Sequence, residues 1–146
     1  SVSYGIKKNH QRHNRLEDDI TICRNIENNY LEFVNNWENN PLFINQADRN
    51  LKYFLKQRKD RLSHNPKQLS KALYSFSQGN MKCYLNKFSK LPMKTIVING
   101  AEDLKYVQIG KEILKMNKNI NHCIVHNCGH NIHIEKSDKF IELLNT

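Results

Sequence analysis

Apolar residues recur at helical spacing through the first two thirds of the chain and merge into continuous runs after Pro92. Leu16, Ile20, Cys23, Ile26, Tyr30, Phe33 and Trp37 follow one another at steps of 4, 3, 3, 4, 3 and 4. That spacing predicts one long helix with a single apolar stripe, stopped by Asn39-Asn40-Pro41. Leu51, Phe54, Leu55, Arg58 and Leu62 mark a second helix, with Asp48 as its cap. Asn65-Pro66 starts a third: an N-cap residue followed by a proline in the first turn, where its missing N–H costs nothing. Leu69, Leu73 and Phe76 form its face and Gly79 supplies its stop. A short helix around Tyr84, Leu85 and Phe88 leads to Leu91-Pro92. At the start, Ser1-Val2-Ser3-Tyr4-Gly5-Ile6 is extended in character and reads as the tail of a strand.

Thr95-Ile96-Val97-Ile98-Asn99-Gly100 is a β-branched run of the kind found in parallel strands covered on both faces. Val107, Ile109, Ile113 and Leu114 predict a helix. Cys123-Ile124-Val125-His126 reads as a second buried strand, and Ser137 as the cap of a last helix bearing Phe140, Ile141 and Leu144. Four helices followed by β-α-β-α is an α/β pattern. Two parallel strands do not make a sheet of the kind their own composition demands. The expectation is therefore that the remaining strands come from residues absent from these 146, from another chain, or not at all.

Charge and composition narrow the partners. The net charge is +9, but only six of the 23 basic residues are arginine, and the lysines are scattered without interleaved aromatics. This argues against nucleic acid and suits an acidic small molecule. No apolar run reaches the roughly 18 residues that span a membrane, so no membrane partner is expected. Cys23, Cys83, Cys123 and Cys128 are irregularly spaced and read as reduced thiols of a cytoplasmic protein.

Candidate chemistry lies in the two loops that follow the strands. Asp103 follows the first in Gly100-Ala101-Glu102-Asp103, and His130 follows the second in Asn127-Cys128-Gly129-His130. Open α/β sheets carry their sites at the carboxyl ends of strands. A carboxylate there accepts the proton on one imidazole nitrogen and fixes the tautomer of a general base. The competing assignment is a helix cap for Asp103 and a plain loop residue for His130. A nucleophile is missing: no Gly-x-Ser-x-Gly elbow occurs, and Ser75-Phe76-Ser77-Gln78-Gly79 reads as a helix terminus. Cys123, Cys128, His130 and His133, with His122 and His126 nearby, offer zinc-ligand types, but the paired spacing of a zinc site is absent. Arg12, Arg15 and Arg61 stand out in a lysine-rich chain, because guanidinium forks bind carboxylates in bidentate fashion. Arg24 and Arg49 read as solubilising surface residues, and Trp37 as a core residue or a pocket wall.

Several stretches together resemble a known family. Tyr4-Gly5-Ile6, Arg12-x2-Arg15, Phe33-Val34-x2-Trp37-x3-Pro41-Leu42-Phe43, Arg61-Leu62-Ser63, Lys71-Ala72-Leu73, Gly100-x2-Asp103-x-Lys105-Tyr106 and Gly129-His130-Asn131-x-His133-x-Glu135 occur in matching order. They resemble the C-terminal half of the 2-succinyl-6-hydroxy-2,4-cyclohexadiene-1-carboxylate synthases, α/β-hydrolase-fold lyases of menaquinone biosynthesis. The resemblance implies the end of a core strand over residues 1–5, a helical cap over 6–90 and the last β-α-β-α over 91–146, with the N-terminal strands and nucleophile elbow absent. It implies a Ser-His-Asp triad, without metal or organic cofactor, that eliminates pyruvate from a succinyl-bearing cyclohexene carboxylate. Asp103 and His130 would be the triad members present. Arg15, Arg61 and Trp37, with Arg12 as a neighbour, would face a polycarboxylate substrate. Alternatives are an esterase on the same scaffold, and a truncated non-catalytic remnant that folds only with its other half.

Overall fold

The computed structural model describes residues 3–43 and 45–145. By backbone packing it divides into two units. The described residues of 1–4, 41–54 and 84–146 form one, and those of 5–40 and 55–83 form the other. Residues 41–54 and 84–90, which the resemblance assigns to the cap, thus fold with the strands. Residues 3–6 carry no strand, and positions 1 and 2 of the expected strand end lie outside the described residues.

The helical unit begins with α1 (Asn9–Asn28) and α2 (Tyr30–Glu38), two helices where the apolar stripe predicts one. The break is chemical. Asn29 leaves helical geometry, its side chain accepts the N–H of Glu32, and its amide donates to the Glu32 carboxylate at 2.9 Å. Asn29 thus caps α2 while its own backbone N–H stays with the Asn25 carbonyl of α1, and the stripe runs across it uninterrupted. Later, α5 (Pro66–Ser75) packs on α1, and Asn65 caps it by accepting from Gln68 N–H at 3.1 Å. Ile26 and Val34 are buried here, but Phe76, assigned to the inner face, is 85% exposed. The helix ends before Gly79. That glycine instead permits close approach: a Cβ there would lie 2.7 Å from the Arg12 carbonyl and the Leu16 side chain. Ser77 donates to the buried Asp19 at 2.7 Å and accepts from Gly79 N–H, which anchors a helix terminus.

The strand-bearing unit holds α3 (Gln46–Arg49), α6 (Leu85–Phe88), β1 (Thr95–Gly100), α7 (Leu104–Leu114), β2 (Ile120–Val125), α8 (Ile132–Glu135) and α9 (Ser137–Leu144). Between them in sequence, α4 (Leu51–Leu62) runs from one unit into the other. Asn50, rather than Asp48, precedes α4 and accepts from Tyr53 N–H, while Asp48 lies inside α3. Ser137 is the first residue of α9 and makes no cap.

The two strands pair in parallel, with Thr95 opposite Ile120 and Gly100 opposite Val125. Leu85, Val97, Ile113 and Ile120 form one cluster, and Val125, Cys128 and Ile132 a second. Gly110 lets α7 pack onto His122, whose Nε2 lies 2.9 Å from the buried Asn99 Oδ1. Among the described residues the sheet has two strands, and β2 is not covered on both faces, since Ile124 is 38% exposed. No described helix is long and apolar enough to cross a membrane.

Candidate active site

Parallel pairing places the C-terminal ends of β1 and β2 side by side, and backbone hydrogen bonds then join the loops that leave them. Ala101 N–H donates to the Val125 carbonyl at 2.9 Å, and Glu102 N–H to the Cys128 carbonyl at 3.1 Å. Gly100 makes this closeness possible. A Cβ at that position would stand 2.0 Å from the Gly129 carbonyl oxygen and 2.4 Å from that of Cys128. The loop reverses at Asn127, whose φ of 51° is left-handed, a conformation asparagine tolerates.

The loops bring Asp103 and His130 together. His130 Nδ1 and Asp103 Oδ2 lie 2.5 Å apart, with the Asp103 side chain 2% exposed and that of His130 18%. Asp103 stands at the N-cap position of α7 but makes no side-chain cap bond. Its carboxylate is turned to the imidazole instead. The Tyr106 ring meets the imidazole edge-on at 4.9 Å and the Phe43 ring at 6.0 Å, which bounds the plane of the His130 ring.

A set of charges that sequence spacing did not reveal surrounds the pair. Glu135 is buried on α8, accepts the N–H of Gly129 at 2.7 Å and that of Asn131 at 3.3 Å, and so holds the backbone on both sides of His130. Arg49 on α3 donates to Glu135 and to both oxygens of Glu102, at 2.5 and 2.6 Å. It is 22% exposed and not a free surface charge. These hydrogen bonds, that to Glu102 first, hold the guanidinium above its ordinary range, and the Arg49 bond holds the Glu102 carboxyl below its own. Burial, followed by the Glu135 charge, pushes the Cys128 thiol up to about 11. Cys128 is thus a packed apolar group.

A cavity of about 260 Å³ opens against Asp103 and His130, lined also by Gln46, Arg49, Lys105 and Glu135. In the helical unit a separate cavity of about 210 Å³ holds Trp37 and Arg61 among Ile22, Ile26, Phe33 and Leu73. Its walls are mostly apolar, and the Arg61 guanidinium is directed to Gln57 at 3.1 Å and Glu38 at 3.4 Å. Arg15 and Arg12 are elsewhere. Arg15 grips both oxygens of Asp19 at 2.9 Å, and Arg12 donates to the Gly79 carbonyl at 3.2 Å. The metal-ligand types are dispersed: Cys123 sits within β2, and His133 lies on α8 with its ring 6.2 Å from that of Phe140. Among the described residues, no group of three or more His, Cys, Asp or Glu is placed to hold a metal ion.

Successive parallel strands separated by a helix, with an acid after the first and a histidine after the second, define the chain as part of an α/β-hydrolase fold. Within that class it is similar to MenH from S. aureus, matching 98% of this chain and 54% of that one with a TM-score of 0.92 and 29% identity. A Bacillus subtilis (strain 168) protein, provisionally named 2-succinyl-6-hydroxy-2,4-cyclohexadiene-1-carboxylate synthase, is 29% identical over 143 residues. That alignment takes in 96% of this chain and 52% of the relative. The chain thus spans about half the length of both. No protein-family profile matches it.

Proposed function

We propose that the chain carries the acid-base half of a lyase in menaquinone biosynthesis, which eliminates pyruvate to give 2-succinyl-6-hydroxy-2,4-cyclohexadiene-1-carboxylate. The observation that supports this most is the 2.5 Å contact of His130 Nδ1 with the buried Asp103, in a chain similar to a protein of that name. In this reading Asp103 accepts the Nδ1 proton and fixes the tautomer, and His130 Nε2 works as the base. The imidazolium formed during turnover is stabilised by the adjacent carboxylate. The triad serine has no counterpart among these 146 residues, so the reading assigns it to a segment equivalent to the unmatched half of the relatives, with which this chain would fold.

A second reading, ester hydrolysis, draws support from the cavity that holds Trp37 and Arg61. Its apolar walls suit an acyl chain, and its arginine already has carboxylate and amide partners. One experiment separates the two: combine the chain with the unmatched half of S. aureus MenH and assay both pyruvate release from the cyclohexene substrate and hydrolysis of a p-nitrophenyl ester. Pyruvate release without ester turnover is the expected result. Ester turnover alone would replace the first reading by the second.

A further inference from the structure

The cavity beside His130 holds more acidic than basic side chains: Glu102, Asp103 and Glu135 against Arg49 and Lys105. Nearly all of its polar groups are committed. Asp103 is turned to His130, Arg49 is shared between Glu102 and Glu135, and the side chain of Asn45 is hydrogen-bonded to Glu102. The Gln46 amide is sealed from solvent and offers an incoming molecule nothing. Lys105 is the exception. It is exposed, and among the described residues its ammonium meets no carboxylate; it stands over the Tyr106 ring, 5.9 Å from the centroid. The same ring lies 4.9 Å from the His130 imidazole, so the cation and the histidine are neighbours of one aromatic side chain. An anion entering this cavity meets carboxylates that Arg49 compensates only in part, and one uncommitted cation to offset them.

We propose that Lys105 is a specificity-determining residue: its ammonium pairs with a carboxylate of the substrate and admits acids to the cavity of His130 in preference to neutral molecules of the same shape. The inference rests on the proposed function, whose substrate is an acid, and names the cation that binds it. The arginines that stand out in the sequence already donate within the helical unit, Arg12 to the Gly79 carbonyl, Arg15 to Asp19 and Arg61 to Gln57 and Glu38. A lysine suits the task, because a point charge on a flexible stem reaches a carboxylate without imposing the planar geometry of a guanidinium. Lys105 holds the ligand by charge and takes no part in proton transfer.

The test uses the chain itself and two probes of one shape, cyclohexanecarboxylate and cyclohexanecarboxamide, with affinities measured by NMR titration at low salt. The unaltered chain is expected to bind the acid about threefold to fivefold more tightly than the amide, the worth of one exposed ion pair. Lys105→Gln should abolish or reverse this preference, because the carboxylates of the lining then dominate, and Lys105→Arg should keep it. Lys94→Gln removes the same charge next to the opposite end of β1 and should leave the preference unchanged. Equal affinity of the unaltered chain for the two probes, or binding of neither, overturns the inference. So does a Lys105→Gln variant that keeps the preference. Equal losses from Lys105→Gln and Lys94→Gln would assign the effect to net charge and overturn it as well. Pyruvate release is not part of this readout. A reconstituted enzyme without lyase activity would sink the proposed reaction and leave the acid preference to be judged on its own.

Discussion

Glu135 accepts the backbone N–H of Gly129 at 2.7 Å and thereby fixes the residue that precedes His130. His130 is oriented twice: its ring by Asp103, its backbone by Glu135. Arg49 neutralises the carboxylate that does the second job.

Glu135→Ala should accordingly be among the most damaging single changes. It removes one of the two carboxylates that Arg49 bridges and leaves the Gly129 N–H unpaired, and an unsatisfied buried donor costs about 1–3 kcal/mol. A lower urea midpoint is the readout. Glu135→Gln, which can still accept from Gly129, should lose less. Equal midpoints for the two variants would show that Glu135 does not hold the loop.

Gly100→Ala tests the junction of the two loops. Its methyl group would fall 2.0 Å from the Gly129 carbonyl, against backbone that has no rotamer to change. Overpacking typically costs about 1–3 kcal/mol and occasionally more. The variant should show a markedly lower midpoint, and an unchanged one would contradict the close approach.

Acid stability should carry the signature of His122. Burial, then the Lys111 charge, lowers its pKa below the ordinary 6.5, so the folded state refuses a proton that the unfolded chain accepts. Stability is therefore full above about pH 6.5 and falls as pH drops through the depressed folded value. Denaturation midpoints measured between pH 7.5 and 5 should decline, and His122→Gln should decline less. A steeper fall in the variant would contradict the assignment.

The thiols should divide by environment. Cys83 is exposed, whereas Cys128 is fully buried with its pKa pushed up to about 11. At pH 8, alkylation followed by mass spectrometry should find Cys83 modified first and Cys128 last. Early loss of Cys128 would mean that the histidine loop opens.

Much of this architecture was legible in the residues. The β-branched run from Thr95 to Asn99 gave β1, and Asn65-Pro66 gave the start of α5, because both signals are local. The break at Asn29 escaped, although Asn29-x2-Glu32 is a capping-box pattern, because the apolar stripe continues through it. The short α3 and α8 have too few residues to show a period. Arg49, Glu102 and Glu135 meet across sequence separations of 53 and 86 residues, and no spacing rule joins charges that far apart. The resemblance carried Phe43, Tyr106 and Glu135 within its motifs, but their roles emerge only from contacts with His130 and its loop.

The proposal that His130 is the base of a pyruvate-eliminating enzyme is tested most directly by pyruvate release from the chain combined with the unmatched half of MenH. The unaltered protein should release pyruvate, His130→Ala should fall to background, and Asp103→Asn should drop by about 10³–10⁴, as when a triad loses its tautomer control. Undiminished release by His130→Ala would contradict the account.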